Sequence, residues 1–107
     1  MPTPLSPLQT AADEAIRTWP DVHAKQVFGH RGFVRSGKMF AFFADDGLSF
    51  KAATVRDAEV LYASGSATPF VYGGSMEMRQ WPVVSLRTES ELADALTAAR
   101  GAYENVG

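Results

Sequence analysis

The segment Gly32-Phe33-Val34-Arg35-Ser36-Gly37-Lys38 has the glycine, glycine and lysine spacing of a phosphate-binding loop. Such a loop needs Ser or Thr next, to hold magnesium, and then a helix whose N-terminus faces the phosphates. Met39 follows instead and opens an apolar run to Ala44 that reads as a strand. Gly37-Lys38 is therefore read as a hairpin turn. The neighbouring Gly29-His30-Arg31-Gly32 has the form of a GXXG clamp on a nucleic-acid backbone. That clamp joins two helices, whereas this one sits between strands. Gly29 and Gly32 are read as bracketing a turn.

Other chemistry-bearing residues are sparse. His23 and His30 are the two histidines, and no acid stands at metal-ligand spacing around them. Cysteine is absent, which excludes disulfides, thiolate metal sites and cysteine nucleophiles. Gly-x-Ser-x-Gly does not occur. Ser64, Ser66 and Ser75 sit in small-residue loops without an evident base. Asp45-Asp46 is a paired carboxylate, and turn chemistry accounts for it. These residues nominate no catalytic group, no metal ligand and no cofactor, and the expectation is a protein that is not an enzyme.

Charge is unevenly spread. Net charge is -2 and the pI about 5.6, which weighs against a polyanion-binding chain because phosphate contacts dominate such affinity. Residues 25–56 nevertheless hold Lys25, Arg31, Arg35, Lys38, Lys51 and Arg56 against Asp45 and Asp46 alone, while residues 57–107 hold three arginines against seven acids. Lys25, His30, Arg31, Arg35, Lys38 and Lys51 are the candidate contacts to nucleic acid or to a partner. Phe40, Phe42, Phe43, Phe50, Tyr72 and Trp81 could stack bases on an open sheet, but core packing is the preferred reading.

The elements that must position these residues follow from pattern. At 107 residues, 46% hydrophobic and 21% charged, the chain is one domain of ordinary globular composition. No basic and apolar leader and no bilayer-length apolar run is seen, so a cytoplasmic protein with no membrane contact is expected. Residues 1–5 are expected to fray. Ser6-Pro7 begins a helix with Leu8, Ala12, Ala15, Ile16 and Trp19 inside, Gln9, Asp13, Glu14 and Arg17 outside, and Pro20 as its stop. A meander follows: Val22 to Phe28, Phe33 to Arg35, Lys38 to Ala44, and Leu48 to Lys51 with Ser49 and Lys51 on an open face. Met39 to Ala44 is apolar on both faces and must be covered twice, by helices or by a second subunit. Met39, Phe40 and Phe42 are accordingly the candidate dimer contacts. Thr54 caps a short helix with Val55, Ala58, Leu61 and Tyr62 on its apolar face, ending near Gly65. Ser64 to Pro69 reads as loop. Phe70 to Tyr72 and Met76 to Val84 flank a Gly73-Gly74 turn, with Pro82 marking an edge or strand end. Thr88 to Glu91 is a capping box, and Leu92, Ala95, Leu96, Ala99 and Tyr103 form the last helix's stripe. The order argues α+β, two layers, with an N-terminal, a middle and a C-terminal helix on an antiparallel sheet of about five strands.

The meander also carries a family likeness. Val27-Phe28-Gly29 with Gly32 and Phe33, Gly37-Lys38-Met39-Phe40-Ala41, Leu48 to Lys51, Pro69-Phe70 with Tyr72, and the final helix together resemble the N-terminal domain of the TfoX/Sxy competence regulators, over roughly residues 8–104. Val27 and His30 depart from that pattern, which usually has Met and often Gly there. The related YjbR-type family shares the Gly-Lys-x-Phe landmark and stays open as a second likeness. The resemblance implies a secretion-chaperone-like fold, often dimeric, and a role in regulating competence genes, with the cAMP receptor protein as a candidate partner. It supplies no catalytic residue. Full-length regulators carry a further C-terminal helical domain, so a module of this span is open to a different task. The expectation is a non-enzymatic interaction module, a homodimer with a protein partner such as a transcription regulator. The alternatives are direct DNA or RNA binding through residues 25–56, and a chaperone-like binder of peptides through an apolar groove or open sheet edge.

Overall fold

The structure is a computed structural model and describes residues 5–27 and 30–106. Phe28 and Gly29, with their landmark and turn, lie outside the described residues, as do residues 1–4. Helix α1 spans Pro7–Ile16 and opens with a closed capping box: Gln9 N donates to Ser6 Oγ (3.2 Å) and Ser6 N donates to Gln9 Oε1 (3.0 Å). It ends at Ile16, short of Pro20, in a tightened turn where Thr18 and Trp19 donate to the carbonyls of Ala15 and Ile16. Ala12 and Ile16 are fully buried, as expected. The expected outer face is half inner: Gln9 and Asp13 are buried, while Glu14 and Arg17 are exposed. The reason is tertiary. Gln9 Nε2 donates to the carbonyls of Asp45 and Gly47 at 3.0 and 3.1 Å, and Asp13 meets Arg31.

Six antiparallel strands form one sheet, β1 (Val22–Val27), β2 (His30–Arg35), β3 (Lys38–Ala44), β4 (Gly47–Phe50), β5 (Thr68–Tyr72) and β6 (Met76–Ser85), in the order β1-β2-β3-β4-β6-β5. This is one strand more than expected, in the same α+β class. Gly32 corrects the turn reading: it lies inside β2, paired with Lys25 and Phe42. A Cβ there would stand 3.2 Å from Phe42 Cβ and 3.3 Å from the Lys25 carbonyl oxygen, so the glycine makes room for Phe42. The Ser36-Gly37 turn is as expected, with φ of 53° and 76°, the two left-handed residues of a tight hairpin.

A bulge decides how β3 is buried. Phe33 pairs with Ala41 and Val34 with Met39, which leaves Phe40 as the extra residue. Phe40, Ala41 and Phe43 therefore all join the core beneath α1 and the last helix, α3 (Glu89–Val106), with Ile16, Phe33, Leu48, Phe50, Ala95, Ala99 and Tyr103. Phe42 turns the other way, against Phe70 (ring centroids 4.8 Å apart) and Trp81 (5.3 Å). It is 1% exposed. The doubly apolar strand is thus covered on both faces by its own chain. Ser49, expected on an open face, is fully buried, and its hydroxyl donates to the Trp81 carbonyl at 3.1 Å. Pro82 marks no edge either. It stands in β6, between β4 and β5, opposite Pro69 at a register break beyond which Phe70 pairs with Met78. A bulge is where an interior strand tolerates the missing donor.

Helix α2 (Val55–Ser64) has the expected Thr54 cap and a left-handed Gly65 at its end. Val55 is corrected to the outside, at 47% exposure, while Ala58 is buried and Leu61 and Tyr62 partly so. β5 begins at Thr68, inside the expected loop. At α3 the capping box is present: Glu91 N donates to Thr88 Oγ1 and Thr88 N to Glu91 Oε1. The expected stripe holds, with Ala95, Ala99 and Tyr103 buried and Leu92 and Leu96 partly buried against the core. Arg35 supplies the cation that the last turn of α3 lacks. Its Nη1 donates to the Tyr103 carbonyl at 3.0 Å, and the guanidinium lies 4.1 Å from the Tyr103 ring centroid.

Candidate functional site

Small side chains on α3 open a groove beside α2. Ala98, Gly101, Ala102 and Asn105 recur at one-turn spacing and face Leu61 and Asp57 of α2, over a floor of Phe50 and Ala52, around 290 Å³ of space. Lys51 stands on its rim. A second recess of 410 Å³ continues it past Phe50, Leu61 and Ala98 to Gly65, Ser66, Glu91 and Asp94. The groove is apolar along its floor, carries Lys51 and Asp57 in its first recess and is anionic at the Glu91 end.

Both walls are pinned by polar contacts. Tyr62 Oη donates to the Arg79 carbonyl at 2.8 Å, and Arg79 donates through Nε and Nη2 to Glu59, lies over the Tyr62 ring and also pairs with Glu77. Burial pushes the Tyr62 hydroxyl above its ordinary pKa, with Arg79 opposing, and the hydrogen bonds that Arg79 donates to Glu59 and Glu77 raise its own pKa. At the other wall the Ser85 hydroxyl and the Arg87 amide (2.9 Å) donate to Glu91 and hold its carboxyl below the usual range. A carboxyl lowered on folding stabilises the protein above its unfolded pKa, and that stabilisation is lost as pH falls through the lowered folded value. Glu91→Gln is therefore expected to lower the melting temperature at neutral pH and to have a smaller effect as pH falls through the acid range. Thermal melts of both proteins across that range check it.

The six basic residues singled out in the sequence do not assemble. Lys25 is exposed on β1, His30 half-buried at the start of β2, and Lys38 exposed beside the Ser36-Gly37 turn. Arg31 turns to α1, Arg35 to the end of α3, and Lys51 to the groove. Of the three dimer candidates, Phe40 and Phe42 are core residues and Met39 is half-buried. The stacking candidates Phe40, Phe42, Phe43 and Phe50 are likewise buried. The Gly32–Lys38 spacing runs along β2 into a hairpin, with no helix to face a phosphate. His23 lies on the surface 3.8 Å from Asp21. Among the described residues no group of three His, Cys, Asp or Glu converges as a metal site would need, and no helix is long and apolar enough to cross a membrane. The groove itself was missed in the sequence. Its signal is a second stripe on α3, one position off the core stripe and made of small residues.

The meander with its Gly-Lys-Met-Phe-Ala strand, the cap and stripe of α3, and the β5–β6 hairpin now stand in one fold, and residues 14–105 match the TfoX N-terminal domain. The chain belongs to the TfoX N-terminal domain family. No curated protein and no solved structure matches it. In this TfoX-family chain the landmark residues are chiefly architectural: Gly37 turns the hairpin, Phe40 is the bulged core residue, and Pro69-Phe70 sits where β5 and β6 change register.

Proposed function

We propose that this TfoX-family chain is a non-enzymatic interaction module that works in the cytoplasm as a homodimer and regulates transcription through protein–protein contacts, competence genes being the class that its family resemblance implies. The observation that carries this reading is apolar surface left open in a single chain. Val71 and Met76 on the β5–β6 hairpin are 47% and 64% exposed, and Val60 on α2, the helix that walls the groove, is 64% exposed. Tyr72, also 47% exposed, stands opposite Met76 on one face of that hairpin, and exposed apolar side chains set side by side favour a partner surface. The hairpin serves the second copy, and the groove serves a protein partner such as a transcription regulator.

Light scattering on gel-filtered protein tests the homodimer. The expected result is a dimer that Val71→Lys with Met76→Glu converts to a monomer of unchanged circular dichroism. A monomer at every concentration overturns the homodimer, and a dimer indifferent to the double substitution moves the interface off the hairpin. Direct contact with DNA or RNA is the second reading, favoured by the exposure of Lys25 and Lys38.

A further inference from the structure

The side chains of Arg17, Asp13 and Arg31 form a cluster that lies apart from the groove. Asp13 projects from α1 with its side chain 8% exposed. Arg17, one turn later at the end of the helix, brings Nε to 3.0 Å from Asp13 Oδ2, and Arg31 of β2 brings Nε to 2.6 Å from Oδ1. One carboxylate is thus held between two guanidiniums, and the trio carries one net positive charge.

Its hydrogen bonding is unfinished. Buried polar groups are nearly always hydrogen-bonded, and those that are not require a reason. Asp13 Oδ1 and Arg31 Nε are both buried and face each other at 2.6 Å, an ion pair without a well-directed hydrogen bond among the described residues. Neither guanidinium donates a hydrogen bond to any described residue. Both side chains nevertheless reach solvent, Arg17 at 50% and Arg31 at 38% exposure. Each arginine makes its shortest contact with the carboxylate through Nε, and its terminal amino groups have no hydrogen-bond partner among the described residues. Asp13 fixes where the two stems lie, which is the role a supporting residue takes behind a binding pair.

We propose that Arg17 and Arg31, set on either side of the buried Asp13 carboxylate, bind a phosphoryl oxyanion. A guanidinium presents a planar fork that fits phosphate oxygens, and a tetrahedral anion has oxygens enough to engage two forks at once. The surplus positive charge favours an anion. This site is independent of the dimer and groove reading.

The test uses inorganic phosphate as the probe, titrated against chloride at constant ionic strength, with the arginine Nε–Hε resonances followed by NMR. The expected result is a saturable shift of the Arg17 and Arg31 resonances, weakened about tenfold or more by Arg17→Gln, a surface substitution that leaves the fold in place. Absence of a saturable shift overturns the proposal, as does a shift unchanged in Arg17→Gln. Anisotropy of labelled duplex DNA across a salt series then separates the sources of the anion. Binding that Arg17→Gln weakens, with a shallower salt slope, assigns the site to backbone phosphodiesters. Phosphate binding without duplex binding assigns it to a free phosphate group.

Discussion

Gly47→Ala is expected to cost about 3 kcal/mol or more, a large part of the 5–15 kcal/mol or so that holds a small domain together. Gly47 opens β4 and pairs with Ala44 on one side and Ser85 on the other. A Cβ there would stand 2.3 Å from the Val84 carbonyl oxygen, 3.0 Å from its carbon and 3.2 Å from Ser85 Cα. All three are backbone atoms of an interior strand, so relief requires β4 and β6 to part. Parting them also disturbs the Gln9 clamp, which rests on the Gly47 carbonyl. Gly37→Ala is the control. Gly37 has open space around its Cβ position, and its φ of 76° alone opposes a side chain, at about 1 kcal/mol. Urea unfolding of the two variants should rank Gly47 well above Gly37. Equal midpoints would mean that β4 and β6 do not approach as closely as described.

Phe42→Ala is expected to lose about 3–5 kcal/mol, independently of protein concentration. Phe42 is 1% exposed, and its ring meets Phe70 edge-on and Trp81 at a tilt. Removing it takes away the ring that Phe70 and Trp81 pack against on the face of β3 away from the core. The concentration series carries the weight of this test. A residue buried by its own chain destabilises the monomer alike at low and high concentration. A residue buried by a second subunit loses stability in a concentration-dependent way, because association enters the equilibrium. Unfolding midpoints that converge at high concentration would return Phe42 to a subunit interface.

Much of the fold was legible in the residues. Ser6-Pro7, Thr54 and Thr88 start helices where they stand, because capping depends on neighbours three residues away. The Ser36-Gly37 and Asp45-Asp46 turns are equally local. Sidedness was legible where one face is buried throughout, as in the α3 stripe. It failed at Gln9, Asp13 and Ser49, polar residues that are buried because distant partners meet them: the Asp45 and Gly47 carbonyls, Arg31, and the Trp81 carbonyl. Periodicity assigns a polar residue to solvent and has no means to see a partner some thirty residues away. The bulge at Phe40 is a further case. Strict alternation puts Phe40 and Phe42 on one face, and the inserted residue puts them on opposite faces.

By itself the sequence determined the helices, the Ser36-Gly37 and Asp45-Asp46 turns, the α+β class and the family, since each rests on local spacing or on the order of short landmarks. It also determined a shortage of groups suited to catalysis. Tertiary structure alone decided what the apolar and charged residues are for. It set β3 beneath the helices on one face and against Phe70 and Trp81 of its own sheet on the other, and so removed Phe40 and Phe42 from the surface. It dispersed the basic segment among a helix end, a turn and a groove, because Arg31 and Arg35 share a face of β2 yet meet different helices, while Lys38 and Lys51 stand at the ends of other strands. Small residues of α3 came to lie opposite α2, and Arg17 and Arg31 met over Asp13, because burial and antiparallel register bring together residues that the linear order keeps apart.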